Sequence, residues 1–124
     1  MAGFENITAW QLAHQFVLNV YRITRAFPEA EKYGLSSQFQ RAAVSVPANI
    51  AEGYKKLGRA DKLRFYNMAE ASLAESRYYV ILSKDLGYIT QEEFDEMISL
   101  AERTGITLSA YCQGVLRNDY SGKL

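Results

Sequence analysis

The sequence predicts an all-α protein: an antiparallel, up-down-up-down four-helix bundle whose second helix is kinked by a proline. Three observations carry that prediction. Four long segments repeat apolar residues at three-and-four spacing, the period of one helical face. Short connections separate them, punctuated by Pro28, Gly53, Gly58 and Gly87. No segment alternates apolar and polar residues at period two for long enough to build a sheet.

The first helix is predicted to open at Thr8. Thr8 and Gln11 have the spacing of a capping box, and Ile7 and Leu12 that of a hydrophobic staple. Trp10, Ala13, Phe16/Val17, Val20, Ile23/Thr24 and Phe27 mark the buried stripe. Pro28 ends the run, because its ring excludes the helical conformation for Phe27. From Thr8 to Ala26 the helix would span about 28 Å at 1.5 Å per residue. Residues 28–36 form a connector with room for one helical turn before Gly34.

The stretch from Ser37 to Gly53 is the one around which the chain is organised. Ser37 and Gln40 repeat the capping pattern. Phe39, Ala42/Ala43, Val46, Ile50 and Tyr54 follow one face. Pro47 lies inside the run; it removes a donor and frees the carbonyl of Ala43, at roughly 3 kcal/mol if uncompensated. A kink is favoured over a break, since the apolar stripe stays in phase through Ile50 and Tyr54. A second line, Arg41, Ser45, Ala48 and Glu52, is small or charged and points elsewhere.

The third helix is predicted from about Arg59 or Ala60 to Leu86, closed by Gly87 in the left-handed conformation with Tyr88 behind it. Tyr66, Ala69, Leu73, Ser76 and Val80 are its buried positions. Phe65, Met68, Tyr79 and Leu82 form a further apolar line that one core cannot easily cover. The fourth helix has the clearest start. Thr90 and Glu93 form a capping box, Ile89 and Phe94 a staple, and Glu92 adds charge that the helix dipole favours. Its stripe runs Phe94, Met97/Ile98, Ala101, Thr104/Gly105, Leu108, Tyr111/Cys112 and Val115. Gly105 in mid-helix costs about 1 kcal/mol against alanine, which suggests a close neighbour. Residues 118–124 are polar and expected to fray.

Composition fits a single domain over residues 1–124. A hydrophobic share of 48% with 23% charged residues is that of a globular protein able to bury a core. Net charge is zero, so no global field draws the chain to nucleic acid or anionic membrane. One cysteine, Cys112, makes no internal disulfide, which fits a reducing cytoplasm. No signal peptide is evident, and no apolar run reaches the roughly 18 residues a membrane span needs. The expectation is a cytoplasmic protein with no membrane partner.

The run Leu35-Ser-Ser-Gln-Phe-Gln-Arg-Ala-Ala-Val-Ser-Val-Pro-Ala-Asn-Ile-Ala-Glu-Gly53 resembles the signature of a bacterial four-helix-bundle family. That family is named for the 23S ribosomal RNA intervening sequence and also carries the label S23 ribosomal protein. Phe65-Tyr-Asn-Met-Ala-Glu-Ala-Ser-Leu-Ala-Glu75 and Leu86-Gly-Tyr-Ile89 resemble its third helix and exit. The resemblance covers essentially the whole chain in order. It implies an antiparallel bundle assembling into a ring, a homopentamer. The name reflects genes within ribosomal RNA insertions and is no evidence of a ribosomal subunit. A similar protein, the accessory variability determinant of diversity-generating retroelements, is a basic pentameric barrel that engages nucleic acid and a reverse transcriptase; this chain departs from it in having no net charge.

Lys55, Lys56, Arg59, Lys62 and Arg64 place five cations in the turn between helices 2 and 3, opposed only by Asp61. In a ring they would repeat around one end and could contact RNA or DNA phosphates. A solvated turn is the plainer alternative. Glu92, Glu93, Asp95 and Glu96 give the start of helix 4 the opposite sign, so the protomer would be polarised along its length. Arg41, Ser45, Ala48, Glu52, Phe65 and Tyr79 are the oligomer-interface candidates, supported by the nine tyrosines. Arg41 and Glu52, about 16 Å apart along the axis, could pair with Glu70, Glu75 or Arg77 of another helix. No cofactor is implied. A single histidine, His14, with one cysteine makes neither a structural zinc site nor a di-iron bundle. The first reading is a non-enzymatic binding or scaffold module; the alternative is a protein–protein adaptor without nucleic-acid affinity.

Overall fold

The apolar stripes become four helices in the computed structural model, which describes residues 3–118: α1 (Thr8–Thr24), α2 (Leu35–Lys55), α3 (Arg59–Asp85) and α4 (Gln91–Asn118). Short 3₁₀ turns at Phe4–Asn6 and Glu29–Glu31 precede α1 and α2. The tail expected to fray falls, from residue 119, outside the described residues.

Each helix packs on its neighbours in chain order, and α1 closes the cycle against α4; the backbones of the diagonal pairs stay apart. Contacts between α2 and α3 climb one helix while descending the other. Gly53 sits against Tyr66, Ser45 bonds Ser72, and Gln38 bonds Tyr79. Between α3 and α4 the sequence is Tyr66 with Tyr111, Leu73 with Gly105, and Arg77 with Glu102. Each of these pairs therefore runs in opposite directions. The core lies on their common axis, where Phe16, Val20, Phe39, Val46, Ile50, Tyr66, Val80, Met97 and Leu108 are wholly buried. Every α3 position assigned to the core from spacing (Tyr66, Ala69, Leu73, Ser76, Val80) is buried.

The caps divide into one that follows the local pattern and two that do not. At α4 the reciprocal box forms: the Glu93 N–H donates to Thr90 Oγ1 at 3.0 Å, and the Thr90 N–H donates to Glu93 Oε1 at 2.9 Å. At α1, Thr8 is already helical and Ile7 occupies the cap position without a side-chain bond. Gln11 turns instead to the carbonyl of Glu5 at 2.9 Å. Helix α2 starts two residues before Ser37, because Glu31 Oε1 accepts the Leu35 N–H at 3.1 Å and satisfies a first-turn donor from outside. Gln40 then reaches Thr24 Oγ1 on α1 at 2.9 Å. Helix α2 continues through Pro47 as one element. Just beyond it, the Asn49 amide donates to the carbonyl and hydroxyl of Ser45 at 2.8 and 2.9 Å.

Two glycines are used in contrasting ways. A Cβ on Gly53 would lie 2.6 Å from Tyr66 Cε1 and 3.1 Å from Phe65 Cβ, so α3 can approach α2 here only because that atom is missing. A Cβ on Gly105 would meet only Leu73 Cδ2, at an ordinary 3.5 Å; the close neighbour expected there is not required. The exit of α3 does need glycine, since Gly87 has φ +78°. The Gly87 N–H donates to Lys84 O and the Tyr88 N–H to Ser83 O, closing a Schellman motif. Tyr88 then packs on Phe27 and donates its hydroxyl to Glu31 Oε2 at 2.8 Å. Glu31 thus joins the start of α2 to the α3–α4 connection.

Gly53→Ala is expected to destabilise the fold by about 1–3 kcal/mol, the ordinary cost of overpacking. Gly105→Ala should stabilise it by up to about 1 kcal/mol through helix propensity. Urea midpoints at constant m-value test both. Glu31 supplies a pH dependence. The Leu35 N–H and then the Tyr88 hydroxyl hold its carboxyl below the ordinary 4.5. A depressed folded pKa means this stabilisation is complete above the ordinary value and disappears as pH falls through the lower folded one. Glu31→Gln should therefore be less stable than wild type at neutral pH, with the difference closing on acidification. A difference that is constant with pH would contradict the assignment.

Candidate nucleic-acid interface and assembly surfaces

The connection between α2 and α3 is only three residues, 56–58, and several bonds fix it from behind. Lys62, one turn into α3, donates its ammonium to Tyr54 O at 2.8 Å and Gly53 O at 3.4 Å. Those are last-turn carbonyls of α2 at the negative end of its dipole; Gly53 O also accepts the N–H of the cap residue Lys56 at 3.2 Å. Partial burial pushes the Lys62 pKa down. The charge of Lys62 therefore serves the helix end, and it leaves the outward-facing set predicted for this turn. Residue spacing carried no sign of this, because the carbonyls it meets belong to the preceding helix.

Two of the other cations lie over Phe65. Lys56 Nζ lies 4.9 Å and the Arg64 guanidinium 4.7 Å from the ring centroid, so both charges rest on one aromatic ring. Arg64 also approaches Asp61 at 3.5 Å, an exposed pair of little energetic weight. Lys55, Arg59 and Arg64 are exposed, and Lys56 is half-buried. Phe65, assigned to an interface from its spacing, is half-buried beneath these side chains and packs at the seam beside Gly53.

The line Arg41, Ser45, Ala48, Glu52 forms the outward crest of α2, with a different groove on each side. Towards α3 the groove is polar, lined by Gln38, Arg41, Ala42, Ser45, Ser72 and Glu75. The Ser72 hydroxyl donates to Ser45 Oγ at 2.9 Å, and the Tyr79 hydroxyl lies 2.6 Å from Glu75 Oε2 and 3.1 Å from Gln38 Oε1. The bond to the Glu75 carboxylate raises the Tyr79 pKa to about 12. Tyr79 is thus bound within the seam, its ring 5.8 Å from that of Phe39. Arg77, offered as a partner for the crest, pairs with Glu102 at 3.4 Å instead. Among the described residues no ion pair engages Arg41 or Glu52.

Towards α1 the groove is almost wholly apolar, with Phe4, Trp10, Val17, Val44, Pro47 and Ala48 on its walls. Here Trp10 stacks on His14 at 5.1 Å and takes Phe4 edge-on at 5.2 Å. A second exposed apolar strip follows the outside of α3: Met68, Ala71, Ala74, Tyr78 and Ile81. Only Met68 of this strip was singled out from the sequence. The signal was available, since α3 carries apolar residues on nearly all sides.

Burial, and then the charge of Glu70, push the Cys112 thiol up to about 11, which keeps it protonated at neutral pH. His14 lies out in the α1–α2 groove. Among the described residues no group of three or more His, Cys, Asp or Glu could hold a metal ion. No helix there is long and apolar enough to cross a membrane.

Fold and surfaces together define a small helical-bundle protein with exposed apolar faces and one cationic turn. The sequence pattern of the 23S rRNA-intervening sequence proteins matches residues 5–110, and the chain belongs to that family. A crystal structure of a protein of unknown function from the S23 ribosomal protein family of Bacteroides thetaiotaomicron VPI-5482 has the same fold. It superposes with a TM-score of 0.77 at 22% identity, covering 85% of this chain and 95% of that one. No curated protein matches the chain.

Proposed function

We propose that this chain is a non-enzymatic, cytoplasmic scaffold that assembles into a ring of identical copies, five by resemblance, and engages RNA or DNA through its α2–α3 turn. The observation that carries the assembly is the pair of unlike apolar faces, the α1–α2 groove and the outer strip of α3. Contiguous apolar surface of this kind usually marks a contact site. Two different faces on one chain favour a heterologous contact, groove to strip, and such contacts close into rings when the rotation allows. Arg41 and Glu52 on the crest between, which make no ion pair among the described residues, would then find their partners across the interface. Rotation about the ring would bring the cationic turns together at one rim, so that phosphate contacts add. The zero net charge and the internal use of Lys62 favour one competing reading, a protein adaptor without nucleic-acid affinity.

Arg41→Glu and Glu52→Lys are each expected to lower the assembled mass measured by size-exclusion chromatography with light scattering. An unchanged mass in both counts against the assembly. For the turn, Lys55→Ala combined with Lys56→Ala should weaken binding to a labelled oligonucleotide and reduce the salt slope, by roughly 0.9 on duplex DNA for each phosphate that is no longer neutralised. Lys62→Met should leave that slope alone and lower the melting temperature. Partner binding that ignores ionic strength would favour the adaptor.

A further inference from the structure

Among the described residues the least protected of the exposed large hydrophobics is Leu57, whose relative exposure is 100%. It stands at the apex of the α2–α3 turn, between Lys56 and Gly58, and a Cβ on Gly58 would meet nothing within 4 Å. The base beneath it is held. The Lys56 N–H donates to Gly53 O at 3.2 Å, Lys62 clamps the last carbonyls of α2, and Gly53 is pressed against Tyr66. In the sequence Lys55 and Lys56 precede it and Arg59 and Arg64 follow it, with one acid, Asp61, among them. An apolar point on a braced mount with a cationic collar is the arrangement by which architectural proteins part stacked bases.

We propose that Leu57 is a wedge for duplex DNA, inserted from the narrow minor groove between two base pairs while the flanking lysines and arginines hold the phosphates on either side. This rests on the nucleic-acid reading of the turn and adds the form of substrate: a duplex that bends easily. A connection of three residues is narrow enough to enter a groove about 6 Å wide, whereas the helices behind it are about 10 Å across and stop at the phosphates. Collar and point therefore have separate tasks. The collar fixes salt dependence and takes any nucleic acid; the point selects duplexes with a flexible pyrimidine–purine step, a nick or a bulge, where unstacking costs least.

The test uses the full chain with end-labelled duplexes that report bending by energy transfer, a 2-aminopurine at a central TA step, and a single strand of the same length. Wild type is expected to bend the duplex and brighten the 2-aminopurine. Leu57→Ser should abolish both signals and lower duplex affinity roughly tenfold or more, the value of burying one leucine. It should leave single-strand affinity, the salt slope and the melting temperature as they were, since Leu57 touches no core. Leu57→Phe should restore bending. Lys55→Ala with Lys56→Ala should weaken duplex and single strand alike. If Leu57→Ser bends and binds the duplex as wild type does, the wedge is overturned while the nucleic-acid reading stands. No binding to either form overturns both. Leakage from anionic vesicles that depends on Leu57, without duplex bending, would assign the tip to a membrane surface and also overturn the wedge.

Discussion

The contact on which the rest depends is the one between Gly53 and the ring of Tyr66. The missing Cβ lets the end of α2 and the start of α3 meet at a distance no other residue permits. Among the described residues Tyr66 is the largest side chain fully withdrawn from water, and its hydroxyl lies within 3.5 Å of that of Tyr111 on α4. Burial first, then that hydroxyl contact, keep its phenol protonated well above the ordinary range. Three helices are thereby referred to one ring. Farther along the same seam the fit is kept by small side chains, with the Ser45 and Ser72 hydroxyls bonded across it. The α2–α3 pair has the most extensive interface in the bundle.

From this seam follows the character of the turn above it. Two helices brought so close leave the final carbonyls of α2 facing α3, and a lysine one turn along is the residue that reaches them. Its neighbours sit differently. Lys56 and Arg64 both rest on the Phe65 ring, while Lys55 lies in water. Five cations that look equivalent in the sequence thus divide by function: one closes a helix, two are steadied on an aromatic ring, and the rest remain outward. The far end of the bundle is ordered by another device, the carboxylate of Glu31 bridging the Leu35 N–H and the Tyr88 hydroxyl. Each end is held by a charged side chain that meets backbone groups a helix leaves unpaired.

The outer surface has a division of its own. The polar groove beside α3 satisfies its own groups, through Tyr79, Glu75 and Gln38 and through the serine pair. The apolar groove beside α1 and the outer strip of α3 have no such internal answer. Polar groups bonded within the chain gain little from a neighbour, whereas exposed apolar area gains roughly 25 cal/mol per Å² when water is removed. The proposed assembly therefore draws on the apolar faces, with the crest of α2 between them.

The sequence by itself determined the four helices, their order, the buried stripe of each and the capping box of α4, because those depend on neighbours three or four residues apart. Met97, Leu108 and all five α3 core positions fall where the 3.6-residue period puts them. Only the tertiary structure decided the rest. Thr8 with Gln11 and Ser37 with Gln40 have a capping spacing like that of Thr90 with Glu93, yet the Gln11 amide donates to the Glu5 carbonyl of the preceding turn and the Gln40 amide to Thr24 Oγ1 on α1. Pro47 could break a helix in isolation, and here it lies inside a packed one. Lys62 could face water or a carbonyl, and its choice depended on how near α2 came. A local pattern fixes what a side chain is able to bond; which partner it meets is set by packing between residues far apart in the chain.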